Sequence, residues 1–171
     1  IKLIKYLIKN RHTSTLEHNV VTFRFKVPLF IARQHMRHRT WSFNEISRRY
    51  TDFDLEFYEP KQFRKQSPSN RQASVDEYID PPLPAARGVE NIHIMASTLL
   101  MHHHTNSLQL YNKMIEAGIC REQARGALPQ NLYTEYYGTC NLNNLFKFID
   151  LRIHEGAQWE IQQVAMAVLK I

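Results

Sequence analysis

Residues 37–50 read RHRTWSFNEISRRY, and the predictions of fold and function depend on this stretch more than on any other part of the chain. It holds four arginines and one histidine but a single carboxylate, Glu45. A protein core would require each of these charges to be paired, and an exposed helix would mix the two signs more evenly. Guanidinium groups bind phosphates and carboxylates through paired hydrogen bonds. The composition therefore indicates a binding site for planar, multiply charged anions.

The overall composition is that of a globular protein with a surplus of positive charge. The 171 residues suit one domain with a hydrophobic core. The 22 Lys and Arg residues against 16 Asp and Glu give a net charge of +6. This surplus serves either solubility or a polyanionic partner, for which nucleic acid and nucleotide cofactors both qualify. The chain does not begin with Met, which leaves open that it is part of a longer protein.

Several common classes of site are disfavoured by the sequence. The two cysteines, Cys120 and Cys140, form neither a disulfide framework nor a metal cluster and fit a reducing, cytoplasmic setting. The five glycines are too far apart for a GxGxxG turn or a P-loop. No apolar run reaches membrane-spanning length and no secretory signal opens the chain, so no membrane partner is expected. Any dinucleotide must be held by something other than a Rossmann turn.

The stretch at residues 37–50 resembles the signature of the flavin-dependent thymidylate synthases. Their hallmark is Arg-His-Arg, seven further residues and then Ser, which is met by Arg37, His38, Arg39 and Ser47. A bare RHR is weak evidence, whereas the longer run is very improbable by chance. The remaining matching positions are Ser42, Asn44, Glu45, Arg49 and Tyr50.

The resemblance implies two sets of contacts around this segment. For the substrate dUMP they are Gln34, Arg37, Ser47 and Arg49. For the flavin they are Arg37, His38, Arg39, Asn44 and Glu45. Arg48 stands where the family usually has a small residue, and either a solvent-facing position or a further phosphate contact is open to it. The alternative for the whole set is a structural network of arginines around one glutamate.

A second segment, RHTSTLEH at residues 11–18, resembles the family's H-x-[ST]-x-x-E-H block. The resemblance implies that His12 lies near the flavin ring and takes part in the chemistry. It also implies that Ser14 and Glu17 lie near polar parts of the flavin. Without the family match, a histidine before a strand is more often an ordinary surface residue.

The C-terminal half carries further family blocks, in LPQNLYTE at residues 128–135 and AQWEIQQ at residues 157–163. The resemblance implies Arg125 at the substrate and Arg152 at the uracil ring, where a fixed guanidinium stabilises negative charge developing on ring atoms. The alternative for Arg152 is a surface salt bridge. Asn141 begins a helix whose free N–H groups, with Leu142 and Asn143, suit a flavin phosphate. Asn143, Lys147 and Gly156 depart from the family pattern.

Two further signals are discounted. Residues 102–104 are all histidine, but consecutive helical side chains point about 100° apart and do not converge on one metal ion. Ser47 suggests a nucleophile, yet no base is readable beside it and arginine neighbours do not deprotonate a serine. We expect Ser47 to act in catalysis as a hydrogen-bond donor to the substrate, and we expect no metal.

The apolar pattern predicts strands alternating with helices. Residues 21–27 alternate as a half-buried strand, and Pro28 then opens a helix to about Arg37. Ser42 and Glu45 form either a capping box or the start of a turn. The other predicted elements are a strand around Phe53–Phe57, a long loop at 61–84, a helix at 85–117 closed by Gly118, a short helix or turn at 121–126, a strand at 132–140, a helix capped by Asn141 and a last helix at 157–170.

The resemblance covers nearly the whole chain and implies its fold and activity. The implied fold is a single α+β domain, residues 1–171, with a central twisted antiparallel sheet flanked by helices. The implied activity is methylation of dUMP to dTMP with methylenetetrahydrofolate, FAD and NADPH, in a homotetramer whose sites are shared between subunits. Neither cysteine lies in a motif resembling the nucleophile of the other thymidylate synthase family. The alternatives are a basic nucleic-acid-binding module and a flavoprotein of another reaction type.

Overall fold

The computed structural model describes residues 1–51, 55–60, 62–86 and 88–171, apart from the side chains of Val89 and Glu90. The chain belongs to the predicted α+β class. The helices are α1 (Lys2–Lys9), α2 (Ser14–Glu17), α3 (Leu29–His35), α4 (Ala96–Glu116), α5 (Arg121–Ala124), α6 (Leu142–Ile153) and α7 (Trp159–Lys170). The strands are β1 (Val20–Pro28), β2 (Ser42–Glu45), β3 (Phe63–Gln66), β4 (Ser74–Ile79), β5 (Pro82–Ala86), β6 (Val89–Met95) and β7 (Tyr133–Asn141).

The chain divides into two compact units. The first unit comprises residues 1–27, 31–45 and 134–171, and the second comprises residues 28–30 and 46–133. None of the described helices is long and apolar enough to cross a membrane.

The first unit is built on a three-stranded sheet in the order β1-β7-β2. The predicted alternation of β1 is confirmed, since Phe25 and Val27 are buried while Arg24 and Lys26 are exposed. Strand β2 pairs antiparallel with β7, from Ser42 opposite Thr139 to Glu45 opposite Tyr136. The RHR segment therefore connects the end of α3 to the edge strand β2.

Gly138 on β7 allows aromatic rings to pack closely against the sheet. A Cβ atom at this position would lie 3.0 Å from the Phe25 ring and 3.3 Å from the Trp41 ring. The first distance is shorter than ordinary carbon–carbon contacts, so any side chain here would push the rings apart.

His35, the last residue of α3, lies at the centre of these aromatic rings. Its ring centroid is 4.7 Å from that of Phe25, 4.5 Å from Trp41 and 4.6 Å from Phe148. Its Nδ1 is 2.8 Å from the hydroxyl oxygen of Tyr136, and the residue is fully buried. Burial, reinforced by the nearby His38 and Arg152, lowers the pKa of His35 from 6.5 to about 3. The side chain is therefore neutral at physiological pH.

Helices α6 and α7 pack against each other in the first unit. The predicted cap at Asn141 is confirmed, because its Oδ1 accepts a hydrogen bond of 3.0 Å from the Asn144 N–H. Phe148 on α6 and Ile161 on α7 are fully buried, as helical spacing of apolar residues requires. The predicted last helix begins at Trp159, two residues later than expected.

In the second unit the predicted loop at 61–84 is wrong, because β3 and β4 form an antiparallel hairpin there. The start of the predicted helix at 85–117 is also wrong, because residues 89–95 form β6 and pair with β5. The β-branched Ile92 and Ile94 favour a strand once a partner strand is available. Helix α4 begins at Ala96, where the Asp80 carboxylate accepts from the Ser97 N–H at 2.9 Å and the Ser97 hydroxyl at 2.6 Å.

Other boundaries also differ from the sequence predictions. Ser42 and Glu45 lie in β2, so they form neither a capping box nor a turn. Helix α3 ends at His35 and not at Arg37. Of the predicted strand near Phe53, residues 52–54 lie outside the described part, and Phe57 makes one isolated bridge to Leu132. The predicted strand at 132–140 corresponds to β7. The predicted short helix at 121–126 corresponds to α5 followed by a 3-10 turn. Gly118, with φ +85°, follows the end of α4 as predicted.

His35→Phe should reduce the pH dependence of stability. In the wild type the unfolded chain takes up a proton below pH 6.5 that folded His35 does not, so the free energy of unfolding falls as pH falls toward 3. Between pH 6.5 and pH 5, the fall in the free energy of unfolding that His35 causes amounts to about 2 kcal/mol. Urea titrations at the two pH values should show a fall smaller by that amount in His35→Phe.

The same variant should be less stable than the wild type at pH 7, by about 1 kcal/mol, because the Tyr136 hydroxyl loses its partner. His102→Gln, which replaces an exposed histidine, is the control and should keep the wild-type slope. Equal slopes in His35→Phe and the wild type would contradict a buried, neutral His35.

Candidate active site

The RHR segment alternates between solvent and interior. His35 is fixed in the core, and the His38 N–H donates to the His35 carbonyl over 2.9 Å. Arg37 and Arg39 are exposed, whereas His38 is half-buried. Thr40 follows with φ +63°, a left-handed conformation that is strained for a β-branched residue. The segment thus presents two guanidinium groups outward and one imidazole inward.

His38 and Arg152 are joined by a direct hydrogen bond. The Arg152 Nε–H donates to His38 Nε2 over 2.9 Å. The Phe148 ring meets the His38 ring edge to face, with centroids 4.9 Å apart. Burial and then the Arg152 charge lower the pKa of His38 from 6.5 to about 4. Burial also lowers the pKa of the Arg152 guanidinium, which nevertheless remains a cation.

Gln34 is held by a residue that the sequence did not single out. Its side-chain amide donates to the side-chain carbonyl of Gln158, the N-cap residue of α7. The Gln158 amide donates in turn to Glu160 over 2.8 Å. Gln158 lies in the family block AQWEIQQ, and that block was the only sequence signal for it.

Two of the predicted flavin segments meet where α2 packs on α6. The side-chain amide of Asn143, which is buried, donates to Glu17 Oε1 over 2.9 Å. The Leu142 N–H donates to the Asn19 carbonyl over 3.0 Å, so this predicted phosphate donor is engaged within the protein. His12 and Ser14 are exposed, and the His12 ring stacks on Tyr6 with centroids 6.4 Å apart.

On β2, Asn44 is exposed and Glu45 is fixed by the neighbouring strand. The Thr134 hydroxyl on β7 donates to Glu45 Oε1 over 2.6 Å. Burial, with a further contribution from the Glu45 charge, raises the pKa of Tyr136 above its usual range. Thr134 lies in the block LPQNLYTE, but its role as the partner of Glu45 depends on strand register and could not be read from the sequence.

In the second unit, four predicted substrate residues have local roles. The Ser47 carbonyl accepts from the Thr51 hydroxyl over 3.0 Å, and its Oγ accepts from the Arg49 N–H over 3.4 Å, which shapes a turn. Arg48 is half-buried and donates to the Tyr133 carbonyl over 3.3 Å, so it does not simply extend into solvent. The Arg49 guanidinium lies 5.1 Å from the centre of the Tyr50 ring. Arg125 is exposed and donates from Nε to the Glu122 carbonyl over 3.3 Å.

The histidines at 102–104 do not form a common site. His104 is buried, stacks on Phe57 with centroids 4.8 Å apart, and has its Nδ1 3.0 Å from Glu59 Oε1. His102 and His103 are exposed. Within the described residues there is no group of three side chains that could hold a metal ion.

The whole chain, residues 1–171, matches the family of thymidylate synthase complementing proteins. It is 45% identical over 169 residues to a flavin-dependent thymidylate synthase of Thermus thermophilus, covering 99% of this chain and 58% of the relative. It is 40% identical over 171 residues to the enzyme of that name from Thermosipho melanesiensis, covering 99% of this chain and 69% of the relative. The chain thus spans little more than half the length of the Thermus relative.

A solved structure supports the same grouping. A UMP/dUMP methylase, PolB from Streptomyces cacaoi, superposes with a TM-score of 0.79 at 33% identity. The match covers 98% of this chain and 74% of the PolB chain. PolB was crystallised with 5-bromo-UMP, and another PolB structure, which matches with a TM-score of 0.77, with 5-bromo-dUMP.

Asn143→Asp should destabilise the first unit and displace Glu17. The change replaces a buried amide donor with a carboxylate that faces the Glu17 carboxylate across 2.9 Å. Loss of the hydrogen bond with repulsion in its place is expected to cost about 1–3 kcal/mol, measured by urea or thermal unfolding. Asn106→Asp, at an exposed position of α4, should change stability by less than about 0.5 kcal/mol. A rise in pH should worsen the Asn143→Asp defect, and a variant as stable as wild type would refute the contact.

Proposed function

Because the chain belongs to the flavin-dependent thymidylate synthase family, we propose that it forms the reacting part of an enzyme that methylates dUMP to dTMP. Methylenetetrahydrofolate supplies the carbon in this proposal, and FAD reduced by NADPH is the cofactor. The observation that carries the proposal is the pairing of two family-motif residues, His38 from the RHR segment and Arg152 from α6, through one hydrogen bond. The two residues are far apart in the sequence, so local structure does not explain why their side chains are in contact.

The donor set of the first unit fits a flavin nucleotide. Arg37 and Arg39 are exposed, and among the described residues neither has a carboxylate within salt-bridge distance, so both are available to phosphate. Glu17 is held through one carboxylate oxygen by Asn143, which leaves the other to accept from a ring or ribose donor. When bound, reduced flavin supplies the hydride.

Arg152 is the residue we assign to the uracil ring. Addition of hydride to the ring moves negative charge onto its oxygens and nitrogens, and a fixed guanidinium in a partly dry site stabilises that charge. Arg152 is half-buried, which strengthens its electrostatic effect over that of an exposed cation. Among the described residues its polar partner is His38, a neutral group. Its terminal nitrogens therefore suit an anionic ring.

The other substrate contacts remain part of the proposal. They are Arg48 and the residues that the family resemblance implies, and they bind dUMP through its phosphate, sugar and base; the implied residues are Gln34, Arg37, Ser47, Arg49 and Arg125. The enzyme acts as a homotetramer with sites shared between subunits. Exposed apolar side chains on α1, α6 and α7 support such assembly; they include Ile4, Tyr6, Leu151, Ile153 and Leu169.

Purified protein should be yellow with the absorbance of oxidised flavin, and NADPH-reduced protein should be reoxidised in the presence of dUMP and methylenetetrahydrofolate with formation of dTMP. UMP is tested in parallel, because the PolB relative is described as acting on both nucleotides. Tritium release from the 5 position of dUMP separates this reaction from other flavoprotein activities. Colourless protein that binds oligonucleotides tightly would instead favour the nucleic-acid-binding alternative.

Arg152→Ala should lower turnover by about 10²–10³-fold, because the developing charge loses its fixed cation. Flavin content, measured by absorbance after denaturation, should change far less. Arg71→Ala removes an exposed arginine in the turn between β3 and β4 and should retain wild-type turnover. Equal turnover in these two variants would show that Arg152 has no role at the reacting ring.

A further inference from the structure

We propose that His38 is a positioning residue for Arg152: its imidazole fixes the guanidinium through Nε without cancelling the positive charge that the uracil ring requires. This inference rests on the proposed function, because it concerns how the same site is preorganised. It assigns to His38 a role toward another side chain of the protein, in addition to the flavin contact that the family resemblance implies.

The hydrogen bond fixes the state of both side chains. An arginine has no acceptor atom, so in the 2.9 Å contact Arg152 Nε must be the donor and His38 Nε2 the acceptor. His38 Nε2 must then carry a lone pair, and the ring proton must lie on Nδ1. A proton on Nε2 would remove the hydrogen bond and place two cations against each other. The contact therefore exists only while His38 is neutral.

A neutral partner leaves the positive charge of Arg152 available to an anion, whereas an acidic partner would neutralise it. A carboxylate would hold Arg152 as firmly, but the pair would carry no net charge, and little of the guanidinium's field would remain to stabilise an anion. The imidazole contributes a dipole and no charge. Arg152 keeps its full unit of charge, and the bond uses only Nε, so both terminal nitrogens stay available for paired hydrogen bonds.

The surroundings hold the imidazole in the orientation that this role needs. Phe148 lies against His38 at an interplanar angle of 83°, and it is fully buried. It also lies four residues before Arg152 on α6, so the same helix face provides the wall for His38 and the guanidinium that His38 binds. The His35 ring also packs against Phe148, with centroids 4.6 Å apart, and lies 6.1 Å from the His38 ring.

Three substitutions of His38 separate position from charge. His38→Gln offers a neutral acceptor near the position of Nε2, His38→Phe keeps a ring without an acceptor, and His38→Glu offers an acceptor with a negative charge. All three alter any direct flavin contact, so only the differences among them report on Arg152. We expect kcat to fall least for Gln, and by about 10²-fold for both Phe and Glu. Thermal melts establish that each variant folds.

A double-mutant cycle tests whether the effect passes through Arg152. His38→Phe introduced into an Arg152→Lys protein should lower kcat far less than it does in the wild type, because the group it positions is already altered. Additive effects would overturn the proposal. Turnover of the Glu variant equal to that of the Gln variant would overturn the argument that the partner must be uncharged.

A measurement on the protein without turnover keeps this proposal distinct from the proposed function. In ¹⁵N-labelled protein, His38 should show an Nδ1–H, unprotonated Nε2 signal pattern that persists at pH 6, and Arg152→Lys should change it. A protonated His38 at pH 6, or signals indifferent to Arg152→Lys, would rule out the positioning role whatever the enzyme's substrate. The expected signals combined with no reaction on dUMP would instead reject the proposed function and leave the pair intact.

Discussion

The burial of one neutral histidine among aromatic rings is the constraint on which the first unit depends. His35 ends α3 with its ring enclosed by Phe25, Trp41 and Phe148 and its Nδ1 bonded to Tyr136. If the His35 side chain left this cavity, aromatic surface would be exposed. Its position therefore fixes the direction of the backbone that follows it. That chain is the RHR segment, and its outward arginines and inward imidazole follow from where His35 is held.

Neutral histidines also solve an electrostatic problem of the site. The proposed ligands, a flavin nucleotide and dUMP, would require several cations, and cations placed close together repel one another. His35 and His38 lie beside Arg152 without adding charge, because burial holds the pKa of each well below physiological pH. The site can therefore be packed with nitrogen donors and acceptors while positive charge is confined to the arginines. Acidic conditions oppose this arrangement, as they favour the charged imidazole.

Local patterns predicted the elements whose structure is decided locally. The alternation in β1, the Asn141 cap and the glycine at the end of α4 each follow from a side chain and its immediate neighbours, and each is confirmed. Strands β2 and β6 were missed because they form by pairing with distant partners, β7 for the first and β5 for the second. Their short, mixed sequences carry no periodicity that distinguishes a strand from a turn or the start of a helix.

The same limit applies to the site. The family motifs selected His38 and Arg152 as separate residues. The two lie 114 positions apart, and nothing in the sequence indicated that a hydrogen bond joins them. His35 and Gln158 were missed because their roles depend on what surrounds them: an aromatic cavity in one case and the start of α7 in the other. The motifs supplied the candidate residues, whereas packing determined which of them are in contact.

Two arginines of the first unit show how the choice of partner changes what a cation can do. Arg24 on β1 pairs with the Glu135 carboxylate on β7 at an exposed position, where water screens the attraction and the pair leaves no net charge. Arg152 has a neutral imidazole in the corresponding place. The first arrangement uses the charge within the protein, and the second holds the cation still while leaving its charge available. A guanidinium that must act on an anion arriving from solution needs the second arrangement, and the chain provides it at the end of α6.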